Sequence, residues 1–351
     1  MGSSVRYSVI IPMYNEEAVI QETYRRIKKV MGTAGEPYEL IFVNDGSVDS
    51  CAQMIEEYSY WDESVKLIDF SRNFGHQVAI TAGMDYAQGD AVIIIDADLQ
   101  DPPELILQMI DEWKNGYEVV YAKRVKRKGE TFFKKWTASM FYRVLAYSTD
   151  INIPVDTGDF RLIDRKVCDQ LKRLPEKNRF VRGLVSWVGF RQKAIEYERD
   201  ERLAGETKYP LKRMIKLSLD GITSFSYKPL KLAGYIGALL SAAGFIYLLY
   251  VLYLAIFTDS AVKGWASMIG ITLTFNGFVL LMLGILGEYV GRIYDESKGR
   301  PLYIVNEVYQ GRKQQQPVRV QPQSYESKNY EPQNYEPKNY ESKGYESKQP
   351  S

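Results

Sequence analysis

Four stretches rich in β-branched and other apolar residues occupy the first third of the chain, and each gives way to polar or glycine-bearing residues at its carboxyl end. Val5-Arg6-Tyr7-Ser8-Val9-Ile10-Ile11-Pro12 runs into Asn15-Glu16-Glu17, and residues 39–43 run into Asn44-Asp45-Gly46-Ser47. Residues 65–70 lead to Ser71-Arg72-Asn73-Phe74-Gly75, and residues 92–95 lead to Asp96-Ala97-Asp98-Leu99-Gln100-Asp101-Pro102-Pro103. The segments between them, ending near residue 31 and spanning 49–60 and 77–88, read as helices. Asn15 is placed to cap the first, and the glutamates favour its first turn. This alternation of strand and helix restricts the chain to a doubly wound α/β layer with a mainly parallel sheet. In such sheets ligands bind outside the carboxyl ends of the strands.

The fourth stretch carries the chemistry. Residues 92–95 are a strand buried on both faces. Asp96 and Asp98 lie two apart, so in extended chain they leave on the same face. Pro102 and Pro103 stop the strand. Two carboxylates and the Gln100 amide are hard oxygen ligands, suited to Mg²⁺ or Mn²⁺ sharing its shell with phosphate oxygens. An acidic turn after a core strand gives the same short pattern, so the motif alone leaves both readings open.

Further on, residues 104–115 read as a helix and 117–122 as a strand. A helix with basic and aromatic faces is expected over 131–147. Asp156-Thr157-Gly158-Asp159-Phe160-Arg161-Leu162 is a turn entering a strand, followed by a helix at 179–187 and a strand at 193–198. Residues 209–226 interleave Lys212, Arg213 and Lys216 with apolar residues, as in a helix lying in a membrane interface or an amphipathic surface helix. Residues 232–257 and 265–287 carry no charge over about 26 and about 23 positions, each enough to span a bilayer. Lys228 and Lys231 precede the first run, and Arg292, Lys298 and Arg300 follow the second. The positive-inside rule then puts both ends in the cytoplasm. From residue 314 tyrosines recur with period five in polar units, which predicts a disordered tail.

Composition removes several function classes. Lys+Arg 45 against Asp+Glu 44 gives net +1, which offers nucleic acid no overall attraction. Cys51 and Cys168 are too few for a disulfide framework or a zinc site, and the single His76 excludes a multi-histidine metal site. No apolar core with a cleavage signal precedes the first strand.

Five motifs in order resemble the family 2 glycosyltransferases that load a sugar onto polyprenyl phosphate, such as bactoprenol or dolichol phosphate. They are Ile11-Pro12-Met13-Tyr14-Asn15-Glu16-Glu17, Asn44-Asp45-Gly46-Ser47, Ser71-Arg72-Asn73-Phe74-Gly75, Asp96-Ala97-Asp98-Leu99-Gln100-Asp101-Pro102-Pro103 and Gly158-Asp159-Phe160-Arg161. The two apolar runs resemble the bacterial branch, and the Gln-x-x-Arg-Trp signature of processive synthases is absent. The resemblance, which covers residues 5 to about 310, implies a GT-A (Rossmann-like) domain over 1–208; the residues add an interface helix region at 209–228, a two-helix transmembrane hairpin over 229–291, a cytoplasmic juxtamembrane segment at 292–313 and, outside the resemblance, the disordered tail at 314–351.

It also implies inverting transfer of a hexose or N-acetylhexosamine from a sugar nucleotide to polyprenyl phosphate at the cytoplasmic face. Transfer to another lipid, or a catalytically silent membrane adaptor, are the alternatives. Pro12, Tyr14, Glu16, Asp45, Gly46, Asn73, Gly75 and Asp96 are carried over to the donor nucleotide. Asp98 and Gln100 are carried over to the metal, with Asp96 beside it. Asp159 matches the active-site aspartate, acting as base or positioning group. Arg124, Arg161, Arg202 and Lys208 are the expected contacts of the acceptor phosphate. Other expected partners are the bilayer, a second copy of the chain, a flippase and a downstream membrane glycosyltransferase.

Overall fold

The structure is a computed structural model and describes residues 5–126, 157–174, 176–198, 228–257 and 265–311. All of these fall in one compact unit, Met1–Pro317. The expected helix at 131–147, the interface segment, Arg202, Lys208 and the tail lie outside the described residues.

The strand–helix alternation is present. β1 (Tyr7–Met13), β2 (Tyr38–Asn44), β3 (Val65–Phe70) and β4 (Ala91–Ile94) are linked by α1 (Glu17–Ala34), α2 (Cys51–Trp61) and α3 (His76–Tyr86). Then follow α4 (Leu105–Lys114), β5 (Val119–Lys126), β6 (Thr157–Asp164), α5 (Arg165–Arg173), α6 (Val181–Trp187) and β7 (Gln192–Glu198). Two long helices, α7 (Lys228–Phe257) and α8 (Trp265–Ser297), precede a last strand, β8 (Val305–Gln310). The sheet order is β7-β5-β6-β4-β1-β2-β3-β8. β1 to β4 are mutually parallel, while β6 runs antiparallel between β4 and β5, and β8 is antiparallel to β3.

The period-two alternation of the strands feeds two apolar layers. Val9, Ile11 and Met13 pack with Ile20 and Ile27 of α1, Ile55 of α2 and Met109 of α4. Ile10 points the other way, into Ala79 and Ile80 of α3, Val167 of α5 and Leu184 of α6. Every position of β4 is buried, as the uninterrupted apolar run predicts.

Two readings of the sequence need correction. Asn15 does not cap α1: it takes a left-handed conformation (φ 53°) and its Oδ1 accepts the Val48 N–H, while Asp49 accepts the Glu17 N–H at 2.9 Å. The stretch at 292–313 is not merely juxtamembrane. It ends α8 and supplies β8, so the sheet begun within 1–208 is completed after the apolar helices. Tyr303 stacks on Phe70 and donates to Asp85, and the Ser71 N–H bonds the Ile304 carbonyl at 3.1 Å. Lys177 donates its N–H to Glu296 and its ammonium to the Asp295 carbonyl, tying the end of α8 to the segment before α6.

Within α8, Phe275–Ser297 is long and apolar enough to cross a membrane. The corresponding apolar stretch of α7, Ala233–Tyr247, is shorter. Leu239, Phe245 and Ile246 of α7 and Leu280, Leu281 and Leu283 of α8 are all exposed.

At the amino edge of the sheet a buried ion pair locks β2 to β3. Lys66 Nζ lies 3.0 Å from Glu39 Oε2, and Glu39 Oε1 also accepts from Ser8 Oγ and the Gln88 N–H. Glu39→Ala strands the buried ammonium and is expected to cost about 3–5 kcal/mol, read as a lower thermal inactivation temperature. Replacing both partners, Glu39→Leu with Lys66→Met, should recover much of that loss.

Candidate active site

The carboxyl edge of β1 to β4 collects the loops that the sequence singled out. Their mutual bonds are specific. The Asn15 N–H donates to Ser47 Oγ, the Ser47 N–H to Asn44 Oδ1, and Asn44 Nδ2 to Asp69 Oδ1. Asp45 accepts the N–H groups of Phe74 (2.7 Å) and Gly75 (3.0 Å), so its carboxylate closes the loop after β3. Burial pushes Asp45 upward from the ordinary carboxylate range, and those two donors oppose it. Gly46 is required where it stands. Its φ is +68°, and a Cβ there would come within 2.5 Å of the Arg72 and Asn73 backbone. Pro12 is buried, Glu16 is half-buried, and Tyr14 and Asn73 are exposed around this rim.

The acidic loop after β4 is tightly held. Leu99, buried, adopts φ 55°, a conformation that costs a non-glycine residue on the order of 1–3 kcal/mol and clusters at functional sites. Asp98 Oδ1 accepts the Gln100 N–H at 3.1 Å and sets the turn. Asp101, fully buried, accepts from the Tyr197 hydroxyl, which itself accepts from Arg124 Nε at 3.1 Å. Arg124 Nη2 lies 3.5 Å from Asp101 Oδ2. β7 is parallel to β5, so Arg124 and Tyr197 pair in register and brace this loop together.

Gly158 and Asp159 reach the same edge because β6 is antiparallel to β4, with Arg161 opposite Ile94. A Cβ on Gly158 would lie 2.7 Å from Arg124 Nη2. Asp159 is buried and accepts four donors: Arg182 Nε (2.8 Å) and Nη2 (3.0 Å), Gln77 Nε2 (3.2 Å) and His76 Nε2 (3.2 Å). Burial opposes its charge, but Arg182 and His76 outweigh burial and hold it well below the usual range. The His76 ring also stands 3.4 Å from Asp96 Oδ1. Burial disfavours the imidazolium, yet Asp96 and Asp159 raise its pKa to about 9. Asp96 is lifted to about 6 by burial and by the charges of Asp159, Asp101 and Asp98, against the pull of His76.

Of the expected phosphate contacts, Arg161 is withdrawn into the protein. Its guanidinium is buried and donates to the carbonyls of Gly158 (2.9 Å) and Asp159 (3.2 Å), and burial lowers its pKa to about 10. Arg124 is committed to Asp101 and Tyr197. The sequence reading did not single out Gln77, Arg182 or Tyr197. Gln77 follows the matched glycine loop directly, a signal that was available, but Arg182 and Tyr197 are brought in only by the fold.

A mixed α/β sheet of this order, with paired carboxylates and glycine-bearing turns at its carboxyl edge, is a GT-A-like fold. Residues 8–172 match the model of glycosyl transferase family 2. Over 309 residues, covering 88% of this chain and 96% of that protein, the sequence is 68% identical to an uncharacterized glycosyltransferase YkcC of Bacillus subtilis (strain 168). It is 39% identical over 304 residues, 87% of this chain and 99% of that protein, to a prophage bactoprenol glucosyl transferase homolog of Escherichia coli (strain K12). A crystal structure of mannosyl-3-phosphoglycerate synthase from Rubrobacter xylanophilus overlays on 62% of this chain and 72% of that one, with 16% identity and a TM-score of 0.42. The chain belongs to glycosyl transferase family 2.

Tyr197→Phe tests the brace behind the acidic loop. It removes one bond to a buried carboxylate and one to Arg124, a loss of about 1.5–3 kcal/mol for a charge-assisted contact. Sugar transfer by the purified full-length protein should fall. Unchanged kinetics would remove Tyr197 from the site.

Proposed function

We propose that the protein transfers a hexose or N-acetylhexosamine from a sugar nucleotide, UDP-glucose or UDP-N-acetylglucosamine, to polyprenyl phosphate at the cytoplasmic membrane face. The similarity to bactoprenol glucosyl transferases over nearly their whole length supports a lipid-phosphate acceptor. The observation that carries the reading is the placement of β8. Its first residue, Val305, pairs with Phe70 at the carboxyl end of β3, so α8 joins the sheet at the edge where the acidic loop and Asp159 lie. A lipid headgroup arriving along α8 therefore meets the reaction edge rather than the back of the domain.

The same pairing supports a hairpin. β7 and β8 belong to one sheet, one before and one after the apolar helices. A chain that leaves and returns to the same side of a bilayer crosses it an even number of times, so crossing by α8 calls for crossing by α7. The lysines and arginines flanking both helices put that side in the cytoplasm.

The residues present fit a divalent cation. Among the described residues no three His, Cys, Asp or Glu side chains form a closed metal cage. Buried Gln100 Oε1 nevertheless lacks a hydrogen-bond donor, Asp96 Oδ1 has the His76 ring at 3.4 Å, and the burial and neighbouring carboxylates that lift Asp96 are what a cation would relieve. Asp98 and Gln100 would hold the ion, with Asp96 beside them, and substrate phosphates would complete its shell. Bound there, the cation neutralises the charge that develops on the leaving nucleoside diphosphate. The protein supplies the rest. The loops closed by Asp45 and Gly46 bind the nucleotide, and the braced acidic loop orients the diphosphate. The attacking phosphate oxygen is already anionic near neutral pH, so inversion at the anomeric carbon proceeds without a protein base.

Chelator should abolish transfer from UDP-sugar to a short polyprenyl phosphate, and Mg²⁺ or Mn²⁺ should restore it. Asp98→Ala is expected to remain folded in membranes and lose turnover. An Asp98→Ala enzyme fully active in chelator would sink the metal assignment.

Cysteine labelling checks the topology. A cysteine at Asn306 should be reached only from the cytoplasm, and one at Asp259, in the connection between the apolar runs, only from outside. Labelling of both from one side would refute the hairpin.

A further inference from the structure

Asp69 takes no part in the chemistry described above, yet its carboxylate stands where three strands meet. It is the penultimate residue of β3, in register with Asn44 at the end of β2 on one side and with Glu307 of β8 on the other. Its two oxygens are claimed from opposite directions. Oδ1 accepts from Asn44 Nδ2 at 2.6 Å, and Oδ2 accepts from Asn306 Nδ2 at 3.1 Å. The β3–β8 ladder shifts register at this point: Asp69 pairs with Glu307 and Phe70 with Val305, so Asn306 is the extra residue of a bulge. Bulges re-aim side chains, and this one delivers the Asn306 amide to Asp69.

The bonds continue into the rim of the site. Asn44 is buried, and its Oδ1 accepts the Ser47 N–H. Ser47 Oγ accepts the Asn15 N–H, and Asn15 Oδ1 accepts the Val48 N–H. Asn15 and Gly46 both take left-handed conformations, so this series of side-chain bonds joins two turns that lie outside the strand ladders. A strand reached only after both apolar helices is thereby bonded, through one carboxylate, to the turns that face the donor.

We infer that Asp69 and Asn306 are positioning residues for the donor nucleotide: the strand returning from the apolar helices holds the turns at 14–16 and 44–48 in the conformation that binds it. The inference rests on the reading above that these turns hold a sugar nucleotide. Both residues act through Asn44 and not by contact with the nucleotide.

The test uses full-length protein in detergent with Mn²⁺, titrated with UDP, and follows hydrogen exchange over 44–50. Wild type should bind UDP, and exchange there should slow when UDP is bound. No binding, or binding without protection at 44–50, would refute the nucleotide reading and this inference with it. Asn306→Asp sets a second carboxylate against Asp69, like charge facing like charge. UDP affinity is expected to fall by about fivefold. Exchange at 44–50 should rise, while the KM for a short polyprenyl phosphate at saturating donor stays unchanged. Adding Asp69→Asn reverses the polarity of the pair. The new amide accepts from Asn44 and donates to the carboxylate at 306, so UDP affinity should return to within about twofold of wild type. Asn306→Ala removes the bond without adding charge and should weaken UDP less. Wild-type UDP affinity in Asn306→Asp, or a loss that Asp69→Asn fails to repair, would overturn the proposal and leave the nucleotide reading standing. Should Asn306→Asp fail to purify as a folded protein, unchanged UDP affinity in Asn306→Ala decides against the proposal in the same way.

Discussion

A buried carboxylate must find donors, and Asp159 finds them on two helices that are distant in sequence. Gln77 and His76 open α3, and Arg182 lies in α6. The start of α3 after the β3 loop, the start of β6 and α6 are therefore fixed to a single pair of oxygens. In a medium of low dielectric such contacts are strong when complete and costly when broken. The charge of Asp159 is thus spent on holding the architecture of the edge. This accounts for a carboxylate held well below the usual range despite its burial.

The acidic loop follows the same logic at one remove. Asp101 is sequestered by Tyr197 and Arg124, and Leu99 takes a strained left-handed turn. Those costs fix the backbone from which Asp98 and Gln100 project. Preorganisation of this kind allows a site to meet developing charge without rearranging during the reaction. Asp96 and Asp98 stay half-buried beside buried Gln100, whose Oε1 keeps acceptor capacity, while the neighbouring Asp101 is buried against Tyr197 and Arg124.

The return of the chain from α8 into β8 has a mechanical meaning as well. Phe70, Asp85 and Lys177 each hold a residue from the region after the apolar helices. A catalytic domain attached to its apolar segment only through the linker after β7 would be free to tumble. One stitched back by an edge strand keeps a fixed face toward the helices. The added strand also covers the β3 edge, which would otherwise offer unpaired backbone groups to other chains.

Much of this was legible in the sequence. Apolar runs with polar ends define β1 to β4, because strand burial and ligand binding leave opposite marks at the two parts of each run. The glycines, the acidic pair and the two apolar segments follow from local requirements of conformation, ligand hardness and hydropathy. What the sequence did not disclose depends on pairing. Nothing local says that β6 inserts antiparallel between β4 and β5, yet that register carries Asp159 to the reaction edge. Nothing local says that the polar stretch at 305–310 is a strand, since an edge strand with one wet face lacks a continuous apolar signal. Arginine is the sharpest case. Charge and motif position made Arg161 an expected phosphate contact, but burial turned it onto two carbonyls, while Arg182, in no motif, pairs with Asp159. A side chain's type is written in the sequence, but which neighbours claim its donors is decided only when the chain closes on itself.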